Sequence, residues 1–205
     1  MAKRIIAISL IILVPAAFYY YFFGFGGKGE REAPKELPKL WQIPYYSFTN
    51  QNGEKITSDD LKGYIYVADF FFTSCPGFCP KLSADFEKVQ QAFHDKPEVK
   101  LVSFTVDPMR DSVPVLKKYS IKYHADPTRW YFLTGNRDSI YKLGEGGFKL
   151  PIVQDDAGQE QFTHSEKLVL VDGNGIVRKW YDGTNPLKVD TLMRDIELLD
   201  IEKNR

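Results

Sequence analysis

The sequence predicts an α/β domain, a mixed sheet flanked by helices with a hairpin at its N-terminal side, behind a single N-terminal membrane span. Three observations predict it. Residues 64–72 (YIYVADFFF) are almost all β-branched or aromatic, the pattern of a strand buried on both faces. An apolar helical face follows, and then a second such strand and helix, so the elements alternate. The apolar run at 168–171 and the segment 176–180 flank Asp172-Gly173-Asn174-Gly175, which reads as an antiparallel hairpin.

Taken in order, Lys3 and Arg4 precede an apolar run from Ile5 to Phe25. A helix needs about 20 residues to cross the hydrocarbon core, and this run is that long. Pro15 is tolerated better in a membrane helix than in a soluble one, and Tyr19, Tyr20 and Tyr21 suit an interface. Leading positive charge keeps the N-terminus in the cytoplasm and exports the rest. A cleaved signal peptide is the competing reading, but Val14-Pro15-Ala16-Ala17 is a poor cleavage site. Residues 1–27 are therefore read as the anchor. Residues 28–40, rich in Gly, Pro, Lys and Glu, are read as a tether, and 41–205 as the folded domain.

Within that domain, Ser47–Leu61 alternates around Asn52-Gly53, a hairpin signal. After the central strand comes Thr73-Ser74-Cys75-Pro76-Gly77-Phe78-Cys79-Pro80, a strand-to-helix turn. Leu82, Phe86, Val89 and Phe93 then share one helical face. Residues 99–106 form the second strand. Asp111 is expected to cap a helix running to about Tyr123, with Val113, Leu116 and Tyr119 inward. A short strand at 130–133, a short helix at 137–143, the hairpin and a closing helix from about Leu187 complete the domain. That last helix presents Val189, Leu192, Ile196 and Leu199 on one side.

The chain has 205 residues, 43% of them apolar and 15% aromatic, enough for a substantial core. Lys plus Arg equals Asp plus Glu at 27 each, which argues against a nucleic-acid partner. The only two cysteines, Cys75 and Cys79, fall in one short motif. A disulfide across so short a loop would stabilise the fold by only about 2 kcal/mol. Redox pairs of the Cys-x-x-Cys kind use two intervening residues, whereas here there are three, a spacing that suits two thiolates on one soft ion. With Pro80 in the first turn, both thiols face a helix N-terminus, which favours thiolate. The dipole contributes only about 0.3–1 kcal/mol, so a metal or redox partner must complete deprotonation.

A third ligand comes from elsewhere. His94 and His124 lie at helix ends and read as solvated. His164, in Phe162-Thr163-His164-Ser165 just before an apolar strand, is the remaining candidate, although an ordinary loop histidine fits the same position. Two thiolates and an imidazole suit copper, as Cu(I) or Cu(II). Structural zinc wants four ligands, and only an oxygen from Asp69 or Asp107 could complete such a set. Asp107 reads more simply as ending its strand and fixing the Pro108 turn.

Three blocks, FFFTSCPGFCP at 70–80, SFTVDPMRD at 103–111 and THSEKLVLVDGNGIV at 163–177, resemble the Sco/SenC family of copper-binding, thioredoxin-fold assembly factors. The resemblance spans Trp41 to the last helix. It implies a thioredoxin-like fold, copper ligation by Cys75, Cys79 and His164, and a role in maturing the binuclear copper centre of a cytochrome c oxidase subunit, or in serving another exported copper acceptor. Gly77 stands where many relatives carry an acidic residue. A thiol–disulfide oxidoreductase using Cys75 and Cys79 as its redox pair is the alternative. A thiol peroxidase would want an Arg near one cysteine, and none is evident in the sequence.

Overall fold

The computed structural model describes Tyr19 and residues 36–150, 153–154, 162–163 and 166–203. The apolar run at 5–25 lies outside these, Tyr19 apart. Among the described residues no helix is long and apolar enough to cross a membrane.

The central strand forms where the aromatic run predicts it. β4 (Ile65–Phe71) and β5 (Val99–Thr105) are buried at every position. They pair in parallel from Ile65↔Val99 to Phe71↔Thr105. Strands covered on both faces have no polar side to alternate with, hence their continuous apolar composition. β6 (Trp130–Leu133) extends the parallel group, while β9 (Lys167–Val171) and β10 (Ile176–Asp182) pair antiparallel on the other flank. β1 (Trp41–Gln42) closes that edge, giving the order β1-β10-β9-β4-β5-β6. Two small ladders stand outside this sheet. β2 (Ser47–Thr49) pairs with β3 (Lys55–Thr57) around Gly53, whose φ of 82° only glycine adopts readily. β7 (Val153–Gln154) pairs with β8 (Phe162–Thr163).

Successive residues of β4 point to opposite faces, and the core divides accordingly. Phe70 stacks on Phe104 and meets Phe148. Phe148 follows a short helix α3 (Arg137–Lys142) and a π turn (Leu143–Gly147). On the opposite face Phe71 packs against Phe132 and Tyr119. Tyr119 belongs to α2 (Val113–Lys122), and α1 (Cys79–Ala92) covers the same face, with Phe86 against Trp130. Leu82, Phe86, Val89 and Phe93 are all buried, as their spacing predicts, as are Val189, Leu192, Ile196 and Leu199 of α4 (Pro186–Lys203). Leu116 and Tyr119 point inward, but Val113 is only half-buried.

One local expectation fails. Asp111 does not cap α2; Ser112 occupies the cap position and its side chain makes no capping bond. The Asp111 carboxylate is wholly buried and bonded elsewhere, as described below.

The compact unit begins at Glu36, ahead of Trp41. Leu37 is buried, its N–H donating to Glu202 at 3.0 Å, and Arg178 donates to the carbonyls of Leu37 and Pro38. This entry point lies beside Gly63 and Ile65, where β4 begins, whereas the cysteine turn follows the other end of β4.

Candidate metal centre

The cysteine turn is built from the end of β4 and the start of α1. β4 stops at Phe71, whose carbonyl accepts from Val106 at 2.8 Å, and the chain bends as Cys75 N–H donates to Phe72 O at 3.2 Å. α1 then starts at Cys79, with Pro80 in its first turn and Phe78 at the cap position. Proline costs nothing there because the first helical amides have no partner within the helix. Lys81 and Leu82 N–H both donate to Phe78 O, at 2.9 and 3.0 Å. Burial of Leu82, Phe86 and Val89 holds the helix, and with it Cys79, against the sheet.

Both cysteines are thiols, not a disulfide, and they hydrogen-bond to each other. Cys79 has no exposed surface and Cys75 keeps 9%, so the pair opens to solvent on the Cys75 side. The turn alone would favour thiolate, but the surroundings push the Cys79 thiol far up. The Cys75 hydrogen bond is the largest cause and burial the next, while a backbone bond from Phe72 pulls weakly the other way. A positive ion between the sulfurs would reverse that balance by replacing both protons. Adjacent, partly shielded soft donors therefore fit a soft metal ion. A Cβ at Gly77 would stand 3.9 Å from Cys75 Sγ, an ordinary contact, so the glycine is not there for lack of space.

Asp69 lies on the same face of β4 as Phe71, the face that α1 covers, and its charge adds to the upward push on Cys79. It is buried and opposite Ser103 in register, and its Oδ1 has no hydrogen-bond partner. Burial pushes its carboxyl up to about 7, against a smaller opposing pull from the Ser103 hydrogen bond. Because the folded value lies above the unfolded one, Asp69 stabilises fully only below about pH 4. That contribution falls away as pH rises to about 7 and is level beyond. Asp69→Asn should therefore gain about 3–4 kcal/mol on the parent between pH 4 and pH 8. Urea unfolding at the two pH values measures this, and an equal difference at both would refute it. Asp69 is thus a shielded carboxyl within the core, held by Ser103 on one side and felt at Cys79 on the other.

Asp107 is buried at the end of β5, its carbonyl accepting from Arg110 and Asp111 N–H at 3.1 and 2.9 Å, the turn-forming role its sequence position suggests. Its carboxylate takes Arg110 at 3.5 Å. His94 and His124 are exposed, and His124 pairs with Glu87 at 2.8 Å. Neither is brought to the cysteines by its element. Among the described residues no group of three or more His, Cys, Asp or Glu side chains could hold a metal ion.

His164 lies outside the described residues, but its flanks are defined. β8 ends at Thr163, and Glu166 leads into β9. Gly183 N–H donates to Glu166 O at 2.8 Å. A Cβ on Gly183 would fall 2.3 Å from Leu82 of α1 and 3.0 Å from Leu168 of β9. Lys81 of α1 donates to the carbonyl of Thr184. The chain just beyond His164 is thus held close to the first turn of the helix that begins at Cys79. A glycine after a strand predicts a turn, but nothing in the sequence identifies Gly183 as the point of contact.

The SCO1/SenC family model matches residues 36–199. The SCO1 protein homolog of Bacillus subtilis is 32% identical over 162 residues, covering 78% of this chain and 83% of that protein. A SCO1/SenC family lipoprotein from Bacillus anthracis superposes with a TM-score of 0.73 at 34% identity, over 78% of this chain and 95% of the other. BsSco, described as having a disulfide switch and as a member of the Sco family of cytochrome c oxidase assembly proteins, gives 0.70 at 30% identity, over 80% and 97%. Copper-bound structures of ScoI and Sco1 proteins from other organisms, 21–23% identical, share the fold. With its thioredoxin-like mixed sheet and its cysteine pair at a helix start, the chain belongs to the SCO1/SenC family.

Proposed function

We propose that this protein is a copper chaperone that takes up one copper ion through Cys75, Cys79 and His164 and hands it to an exported acceptor, the copper-bearing subunit of cytochrome c oxidase. The observation that carries this reading is the contact between two thiols at the start of α1 in a member of this family. Two adjacent sulfurs match a soft ion, and an imidazole lets the same set hold copper in either oxidation state. The clamp of Gly183 and Glu166 against α1 supports His164 as the third ligand, since it holds Glu166, two residues further along the chain, beside the first turn of α1. The oxidase as acceptor is supported by the described role of BsSco. An N-terminal anchor at 1–27, with a tether ahead of the packed segment that starts at Glu36, would set the domain on the exported face of a bacterial inner membrane, where such an acceptor would be met.

The chemistry follows from the thiols. A thiol gives up its proton to bind copper, and the raised Cys79 thiol makes that release part of uptake, so binding tightens as pH rises. The ion is then passed by exchange onto the acceptor's own donors, Cys75 being the sulfur that solvent reaches.

Thiol–disulfide exchange would use the same cysteine pair but has no use for an imidazole. His164→Ala separates the two readings. The expected result for the full-length protein is weakened copper binding with an altered thiolate–copper absorption band and an unchanged far-UV circular dichroism spectrum. Copper binding indifferent to His164, with disulfide exchange lost only in cysteine variants, would favour the oxidoreductase instead.

A further inference from the structure

Cys79 is held by its helix, but Cys75 lies in irregular backbone between Phe72 and Phe78, where no ladder bond fixes it. A buried carboxylate ties that backbone to the neighbouring strand. Asp111 Oδ2 accepts from Thr73 N–H at 3.0 Å and from Thr105 Oγ1. Its Oδ1 accepts from Thr73 Oγ1. Thr73 stands two residues before Cys75, and Thr105 is the last residue of β5. The loop that carries Asp111 is itself braced: Asp107 N–H donates to Thr105 Oγ1 at 3.0 Å, and Asp111 N–H to Asp107 O at 2.9 Å.

A wholly buried carboxylate is expensive unless bonded, and this one is satisfied almost entirely by the cysteine turn and the neighbouring strand. The site could have been built without it, since an acidic residue beside a helix start ordinarily turns toward the helix. Here α2 begins without a side-chain cap while the carboxylate next to it holds Thr73.

We propose that Asp111 is a positioning residue for the metal site: by holding Thr73 it places Cys75 against Cys79, so that both thiols are set before the ion arrives. This rests on the copper reading above for its purpose, but not for its geometry. Asp111→Ala removes all three bonds. Asp111→Asn keeps an oxygen for Thr73 N–H and Thr105, and offers its amide to Thr73 Oγ1 as a donor. Thr73→Val removes one bond only.

The test compares these variants of the full-length protein with Gln51→Ala, a control that loses two buried bonds to β6. Two readouts are taken. One is the affinity for Cu(II) together with the wavelength of the thiolate–copper band. The other needs no metal: the equilibrium with oxidised and reduced glutathione, in which the two thiols give up two electrons and two protons, their disulfide forms, and the glutathione disulfide opens to two thiols. Asp111→Ala should weaken copper about ten-fold or more and shift the band, as loss of a group that orients a ligand does. It should lower the disulfide equilibrium constant several-fold, because Cys75 is no longer held beside Cys79. Thr73→Val should move both readouts the same way by less, and Asp111→Asn should stay near the parent. Gln51→Ala should leave both unchanged at whatever stability it has. Parent values in Asp111→Ala for both readouts, or equal effects from Gln51→Ala, would overturn the proposal. A parent that binds no copper, with the disulfide equilibrium still lowered in Asp111→Ala, would retain Asp111 as the positioning residue and remove the copper reading.

Discussion

Replacing Cys79 by serine should cost more than about 100-fold in copper affinity, since losing even a group that merely orients a ligand costs about 10–100-fold. A serine hydroxyl is a hard donor that stays protonated where a metal-bound thiol does not. The fold should survive. Serine is close in size, it stands at the helix start where side-chain oxygens are well tolerated, and α1 is anchored by Leu82, Phe86 and Val89 rather than by the sulfur. Cys75→Ser should lose copper to a similar degree with less effect on stability, because Cys75 reaches the surface. Copper retained per chain after challenge with a competing chelator measures this. Equal retention by parent and both variants would place the ion elsewhere.

The second large effect concerns the opposite end of the sheet. Arg178→Ala should destabilise the domain by about 3–5 kcal/mol, the range for breaking a buried ion pair from one side. The Arg178 side chain is 3% exposed and pairs with Asp172 at 3.1 Å and Glu202 at 2.8 Å. Its removal leaves two shielded carboxylates without their cation, and the carbonyls of Leu37 and Pro38 lose their donor. Because these bonds join the chain's entry point to β10 and α4, the variant should also expose residues 36–40 to protease before the rest of the domain. The urea midpoint at pH 7 gives the first quantity and limited proteolysis the second. An unfolding free energy within about 0.5 kcal/mol of the parent would mean that solvent reaches the cluster and screens it.

The elements legible in the sequence were those whose signal is local and repeated. The run YIYVADFFF could hardly be anything but a buried strand, and the apolar spacing from Leu82 to Phe93 admits only one helical face. The cysteine turn followed from the two together. β1, β7 and β8 went unforeseen because each is a two-residue strand that exists only through its partner. Asp111 shows the same limit within the site. A local rule assigns an acidic residue ahead of a helix to its cap, yet Thr73 and Thr105 compete for that carboxylate from elements the rule does not see. Asp69 and Arg178 stand inside strands, where sequence alternation gives no hint that a charge will be buried, and the partners of Arg178 lie as far away as Leu37 and Glu202.

Cys75, Cys79 and His164 are proposed to hold one copper ion together. Copper-edge X-ray absorption on the full-length protein, loaded with one equivalent of copper, tests it most directly. Two sulfur scatterers and one imidazole on Cu(II), with the imidazole signature lost in His164→Ala, is the predicted result. A coordination sphere of oxygen and nitrogen alone, or one sulfur set identical in parent and His164→Ala with no imidazole in either, would contradict it.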